Sequence, residues 1–107
     1  MMPIGKAVRA VSTATAHDDS IVRSHGKKMM MWGDFVLQHP ETLTLLPDDI
    51  TYLTWEYGDR SSFDHWITPF ASRHLPFMVC PGILNTYRLF PDMIMAKANI
   101  SKFAYQG

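Results

Sequence analysis

Met29-Met30-Met31-Trp32, Ile50-Thr51-Tyr52-Leu53-Thr54-Trp55 and Phe77-Met78-Val79-Cys80 are apolar segments whose last residues stand 23 and 25 positions apart. A loop and a helix-like stretch follow each one. A strand-loop-helix unit repeated at this length specifies a parallel sheet or a (β/α) barrel. In a barrel every strand C-terminal end points to one face, and that face carries the active site. Trp32, Asp34, Trp55, Tyr57 and Cys80 are therefore expected to converge.

The spacing predicts strands near 28–33, 50–55 and 76–80, parallel and adjacent, with helices near 39–46, 61–73 and 91–105. The unbroken Met-Met-Met-Trp run suits a strand buried on both faces. Pro40 fits the first position of a helix, with Glu41 in its first turn. Ser61 followed by Asp64 has the form of a capping box. Phe63, Trp66, Ile67 and Phe70 then recur at i, i+3, i+4 and i+7, one helical face, and Pro69 predicts a kink or early end. The last helix is expected to turn Met93, Ala96, Ile100, Phe103 and Ala104 inward. Upstream, His17 to His25 reads as a short helix with Gly26 just past its end. Residues 1 to 17, with Lys6 and Arg9 and no acid, read as a loop or frayed end. No linker or low-complexity segment divides the chain.

A complete (β/α)₈ barrel takes roughly 250 residues, and this chain has 107. The expected fold is α/β, a partial TIM-type barrel of about three parallel βα units, written as a piece of a larger domain.

A formal net charge of zero leaves no electrostatic footprint for nucleic acid or an anionic membrane. No apolar run approaches a membrane span. One cysteine cannot form an intrachain disulfide framework, which fits a cytoplasmic setting. The five histidines show neither His-Glu-x-x-His nor short paired spacing, so no metal is expected. Gly33 and Gly82 are isolated and form no phosphate-binding loop, so no cofactor is expected either. Cys80 meets the minimum for a thiol nucleophile, but no base is placed beside it, and a small buried strand residue is the simpler reading. The methionine run would be split across two faces of a strand, which makes it packing material.

The ordered series Gly26-Lys27-Lys28-Met29-Met30-Met31-Trp32-Gly33-Asp34, Leu46-Pro47-Asp48-Asp49-Ile50, Trp55-Glu56-Tyr57, Phe77-Met78-Val79-Cys80-Pro81-Gly82, Phe90-Pro91 and Ala98-Asn99-Ile100 resembles the later half of the catalytic barrel of family 20 glycoside hydrolases. These are the β-N-acetylhexosaminidases, and the likeness is nearest to their intracellular hexosaminidase-D-like branch. It runs from about residue 24 to the end. Residues 1–20 match poorly, so 21–107 stand as the partial barrel domain. The resemblance implies that Trp32, Trp55 and Cys80 end barrel strands five, six and seven. It also implies that the family's adjacent Asp-Glu pair belongs to strand four. No Asp-Glu dipeptide occurs in this sequence, so no catalytic residue is assigned within it.

In such enzymes the substrate's own acetamido oxygen attacks the anomeric carbon, and tryptophans packed around the acetamido group hold it in reach. The resemblance thus implies an N-acetylhexosamine-bearing glycan as partner. Trp32 and Trp55 would line the subsite, and Asp34 and Tyr57 would offer hydrogen bonds. A tryptophan commonly follows the Cys-Pro-Gly turn in the family. Thr86-Tyr87 stands there instead, with Tyr87 as the candidate replacement. The pattern alone leaves rival roles open: barrel core for Trp32 and Trp55, a helix cap for Asp34, and an interfacial ring for Tyr57. Trp66, on a helix face, reads as core. A truncated sheet with open edges is also expected to self-associate. The alternative to a hexosaminidase fragment is a non-catalytic sugar- or protein-binding α/β module.

Overall fold

The computed structural model describes residues 4–84 and 89–107. In chain order these form α1 (Ile4–Ser24), β1 (Met30–Trp32), α2 (Asp34–Gln38), a 3-10 turn (Pro40–Thr44), β2 (Thr51–Trp55), α3 (Asp64–Ala71), β3 (Phe77–Cys80) and α4 (Met93–Gln106). The strands make one parallel sheet in the order β1-β2-β3. Met30 stands opposite Thr51, Trp32 opposite Leu53, Leu53 opposite Met78, and Trp55 opposite Cys80. The result is a mixed α/β fold with a small three-stranded parallel sheet, compatible with part of a βα-repeat architecture.

Strand alternation sends successive side chains to opposite faces. Tyr52 and Thr54 are buried on the face that the helices cover. There Val36, Leu43, Leu46, Ile50, Tyr52 and Phe70 form one core cluster. Tyr52 and Phe70 stack with ring centroids 5.1 Å apart. A second cluster, Phe63, Ile67 and Phe103, packs under α4, with Phe63 on Phe103 at 4.5 Å. Phe77 touches both clusters. Among the described residues no helix buries the other face. Met30, Trp32, Trp55 and Met78 remain 49%, 53%, 41% and 54% exposed. The expectation that the Met29–Trp32 run is buried on both faces is therefore corrected: only its alternate residues reach the core.

The N-terminal reading is corrected as well. Of the residues expected to be a loop or frayed end, 4–17 belong to the 21-residue α1. Its inward stripe is Val8, Ser12, Thr15 and Asp19, all buried, at helical spacing but with one aliphatic residue. Ser12 satisfies its hydroxyl on the Val8 carbonyl at 2.8 Å. Arg23, one turn after Asp19, lies 3.3 Å from both Asp19 and Asp49 and ties the helix to the loop before β2. Burial is the main force raising the Asp19 pKa, the neighbouring Asp49 raises it further, and Arg23 opposes both.

Two local readings change, the cap of α3 and the buried face of α4, while the early end expected at Pro69 holds. Ser61 does not cap α3; Phe63 is its N-cap residue, and the Ser62 hydroxyl accepts from the Asp64 N–H. Pro69 lies inside α3, which ends two residues later. In α4 the buried face is Ala96, Asn99 and Phe103, whereas Met93 and Ile100 are exposed and Asp92 caps the helix through the Met95 N–H. Among the described residues no helix is long and apolar enough to cross a membrane.

Candidate functional site

Trp32 and Trp55 are the last residues of neighbouring parallel strands, so both indoles emerge at the same C-terminal edge. The backbone continues the sheet for one residue past Trp32, where the Gly33 N–H donates to the Leu53 carbonyl at 2.8 Å. A Cβ at Gly33 would lie 3.0 Å from Cζ of Phe70 and 3.3 Å from the Leu53 oxygen. A residue without a side chain is what lets the chain turn there against Phe70. Asp34 then opens α2 as its first residue. Gly33 holds the cap position and no side-chain cap bond forms, so the capping role considered for Asp34 is not the one it has.

Beyond Trp55 the chain makes a tightly bonded turn. One carboxylate oxygen of Glu56 accepts from the N–H of Tyr57 at 2.8 Å and of Gly58 at 2.7 Å. Its other oxygen pairs with Arg60 at 3.3 Å, and the Arg60 guanidinium sits 5.5 Å from the Trp66 ring centre. From the other side the Asn99 amide donates to the carbonyls of Glu56 (2.7 Å) and Gly58 (2.8 Å). The Asn99 oxygen accepts from the Gly82 N–H at 2.9 Å. Tyr57, held within this turn, brings its ring to 5.5 Å from that of Trp55.

Trp32, Asp34, Trp55 and Tyr57 together line an open recess of about 340 Å³. Two indole faces, a phenol and a carboxylate can stack on the apolar C–H face of a ring and hydrogen-bond to its hydroxyls, the usual makeup of a small-molecule pocket. A second, smaller recess of about 190 Å³ shares Asp34 and Trp55 and extends toward Glu56, His65 and Trp66. Trp66 itself is half-buried and packs against the second core cluster. Tyr87 lies outside the described residues.

Cys80 is half-buried opposite Trp55, with its sulfur 3.9 Å from the Met78 carbonyl. Burial pushes its pKa up, which favours the neutral thiol over the thiolate that nucleophilic chemistry needs. Among the described residues no group of three His, Cys, Asp or Glu side chains could hold a metal ion. Asn99 was invisible to sequence reasoning as a site-supporting residue. Its partners lie 17 to 43 positions away, and in the sequence it counted only as part of the Ala98-Asn99-Ile100 segment of the resemblance, with no supporting role attached. Comparison of the chain with family models, with curated proteins and with solved structures finds no match to any of them.

Proposed function

We propose that this chain carries the sugar-binding wall of a β-N-acetylhexosaminidase-type barrel and binds a terminal N-acetylhexosamine unit of a glycan or glycoconjugate. The observation that carries the reading is the recess formed by Trp32, Asp34, Trp55 and Tyr57 at the C-terminal edge of a parallel sheet. Half-exposed indoles at strand ends support stacking against a pyranose. Asp34 and Tyr57 supply polar partners for its hydroxyls. Under this reading the wall confines the acetamido group of the sugar, and the proximity of its oxygen to the anomeric carbon accelerates the substrate-assisted step.

The acid that would protonate the leaving group is not among these residues, because the sequence has no Asp-Glu pair. General acid catalysis contributes about 10²–10⁴-fold, so the wall by itself binds without turning over. That absence also favours the second reading, a non-catalytic sugar- or protein-binding module using the same aromatic face. A cytoplasmic setting belongs to the proposal, in keeping with a single cysteine.

The test is a titration of N-acetylglucosamine followed by tryptophan fluorescence. Binding should be weak and saturable, and about tenfold weaker in Trp55→Ala. Saturable binding that persists unchanged in both Trp55→Ala and Trp32→Ala would remove the recess from consideration.

A further inference from the structure

α4 touches no part of the recess, yet three of its side chains reach across to the turn that carries Tyr57 and to the helix after it. Asn99 bonds the Glu56 and Gly58 carbonyls. Lys102 pairs with Asp59 at 2.7 Å. Gln106 accepts from the Phe63 N–H at 2.8 Å. Asn99 is the centre of this strap. It is fully buried, and both amide hydrogens and its oxygen are engaged. Its oxygen holds Gly82, whose Cα faces the Tyr57 ring so closely that an added Cβ would lie 3.0 Å from Cε1 and 3.1 Å from Cδ1. One amide therefore fixes Tyr57 twice, through the backbone on both sides of it and through the glycine against its ring. Glu56 completes the arrangement by taking the two N–H groups of the same turn.

We propose that Asn99 is the positioning residue of the recess: its amide locks the 56–58 turn and Gly82 around Tyr57, and so sets the phenol relative to Trp55. The inference rests on the sugar-binding reading for its consequence, and on the hydrogen-bond geometry for its cause. Aspartate is the discriminating replacement because it keeps the shape and removes both donors, turning an oxygen toward two carbonyls. A buried polar group loses its partners at a cost well above the worth of one bond, so the turn must move to relieve the contact.

The experiment uses the full chain with fluorotyrosine incorporated, the Tyr57 resonance being assigned by its loss in Tyr57→Phe and that of the core residue Tyr52 serving as an internal standard of folding. Asn99→Asp should shift or broaden the Tyr57 signal, leave the Tyr52 signal in place, and weaken N-acetylglucosamine binding by about tenfold, the scale of one hydrogen bond to the sugar lost when the phenol moves. An unmoved Tyr57 signal in a variant that keeps the Tyr52 signal overturns the proposal. If Asn99→Asp loses the Tyr52 signal as well, Gly82→Ala decides. It leaves the Asn99 donors intact and places a methyl group against the ring; a displaced Tyr57 signal supports the clamp, and an unchanged one overturns it. Failure of the wild-type chain to bind the sugar would sink the functional reading, while the fluorine signals would still decide the role of Asn99.

Discussion

Trp32 faces outward opposite Leu53, and Trp55 lies two residues further along that neighbouring strand on the same face. The two indoles are thus offset by one pleat, leaving the space that Asp34 and Tyr57 close from the sides. Both rings are about half exposed, so replacing either should leave the core untouched. Trp32→Ala and Trp55→Ala are each expected to reduce N-acetylglucosamine affinity by about tenfold, near the 0.5–1.5 kcal/mol attributed to one aromatic stacking contact. Isothermal titration checks this, with thermal midpoints within a few degrees of the parent chain.

Hydrolysis is expected to be absent. The isolated chain should release no chromophore from a nitrophenyl N-acetylglucosaminide above the buffer rate, and Asp34→Asn should change nothing. A measurable rate abolished by Asp34→Asn would make Asp34 a catalytic group and overturn the reading of the recess as a wall that binds without turning over.

Phe70 is the residue on which the sheet side of the core depends. It is fully buried, stacks on Tyr52, lies against Phe77 at 6.0 Å and fills the space that Gly33 leaves open. Phe70→Ala should cost about 3–5 kcal/mol, a large share of the roughly 5–15 kcal/mol available to an ordinary domain. Urea titration followed by circular dichroism should show a strongly lowered midpoint or no folded baseline.

Asp19 gives the chain a pH dependence of definite sign. Its folded pKa is raised above the ordinary 3.8, chiefly by burial. As pH rises through that value the unfolded chain gives up its proton first, and the folded state is progressively penalised until the raised pKa is passed. Stability from this group is therefore complete in acid and lost toward neutrality. Asp19→Asn should raise the thermal midpoint at neutral pH and flatten the acid-side slope. Tyr52, whose hydroxyl is pushed up to about 12 by burial and by Asp48, Asp19 and Asp49, should remain neutral throughout that range.

The uncovered sheet face predicts self-association. Parallel sheets are ordinarily covered on both sides, and Met30 and Met78 present unbranched apolar side chains there. Placing a charge on that face, as in Met78→Lys on the edge strand β3, should shift sedimentation toward monomer without lowering the thermal midpoint. An unchanged distribution of species would show that this face is not what brings copies together.

The parallel strands were legible because each is a dense apolar run between turn residues, and their register brings four of the five side chains expected to converge, Trp32, Asp34, Trp55 and Tyr57 but not Cys80, to one recess. The (β/α)₈ closure had no such support, since three strands fix a direction and an order but not a curvature. The C-terminal part of α1 was legible as the His17–His25 helix, but its earlier turns escaped because the inward stripe is Val8, Ser12, Thr15 and Asp19; a helix buried through hydroxyls and an ion pair leaves no hydrophobic period to read. Inwardness was assigned to Met93 and Ile100 on apolarity alone, whereas the true face of α4 is organised around an asparagine. Hydrogen-bond partners more than forty positions apart have no local signature. The contribution of Tyr87 to the wall falls outside the described residues.

The alternation along β2 has a consequence for how this surface can change. Tyr52 and Thr54 point into the fold, and Leu53 and Trp55 point away from it. Two nearly independent vocabularies are interleaved in five residues, one constrained by packing and one by whatever the recess meets. Substitutions at Trp32 and Trp55 can therefore remake the exposed edge of the sheet while Tyr52 and Thr54 keep the core in place.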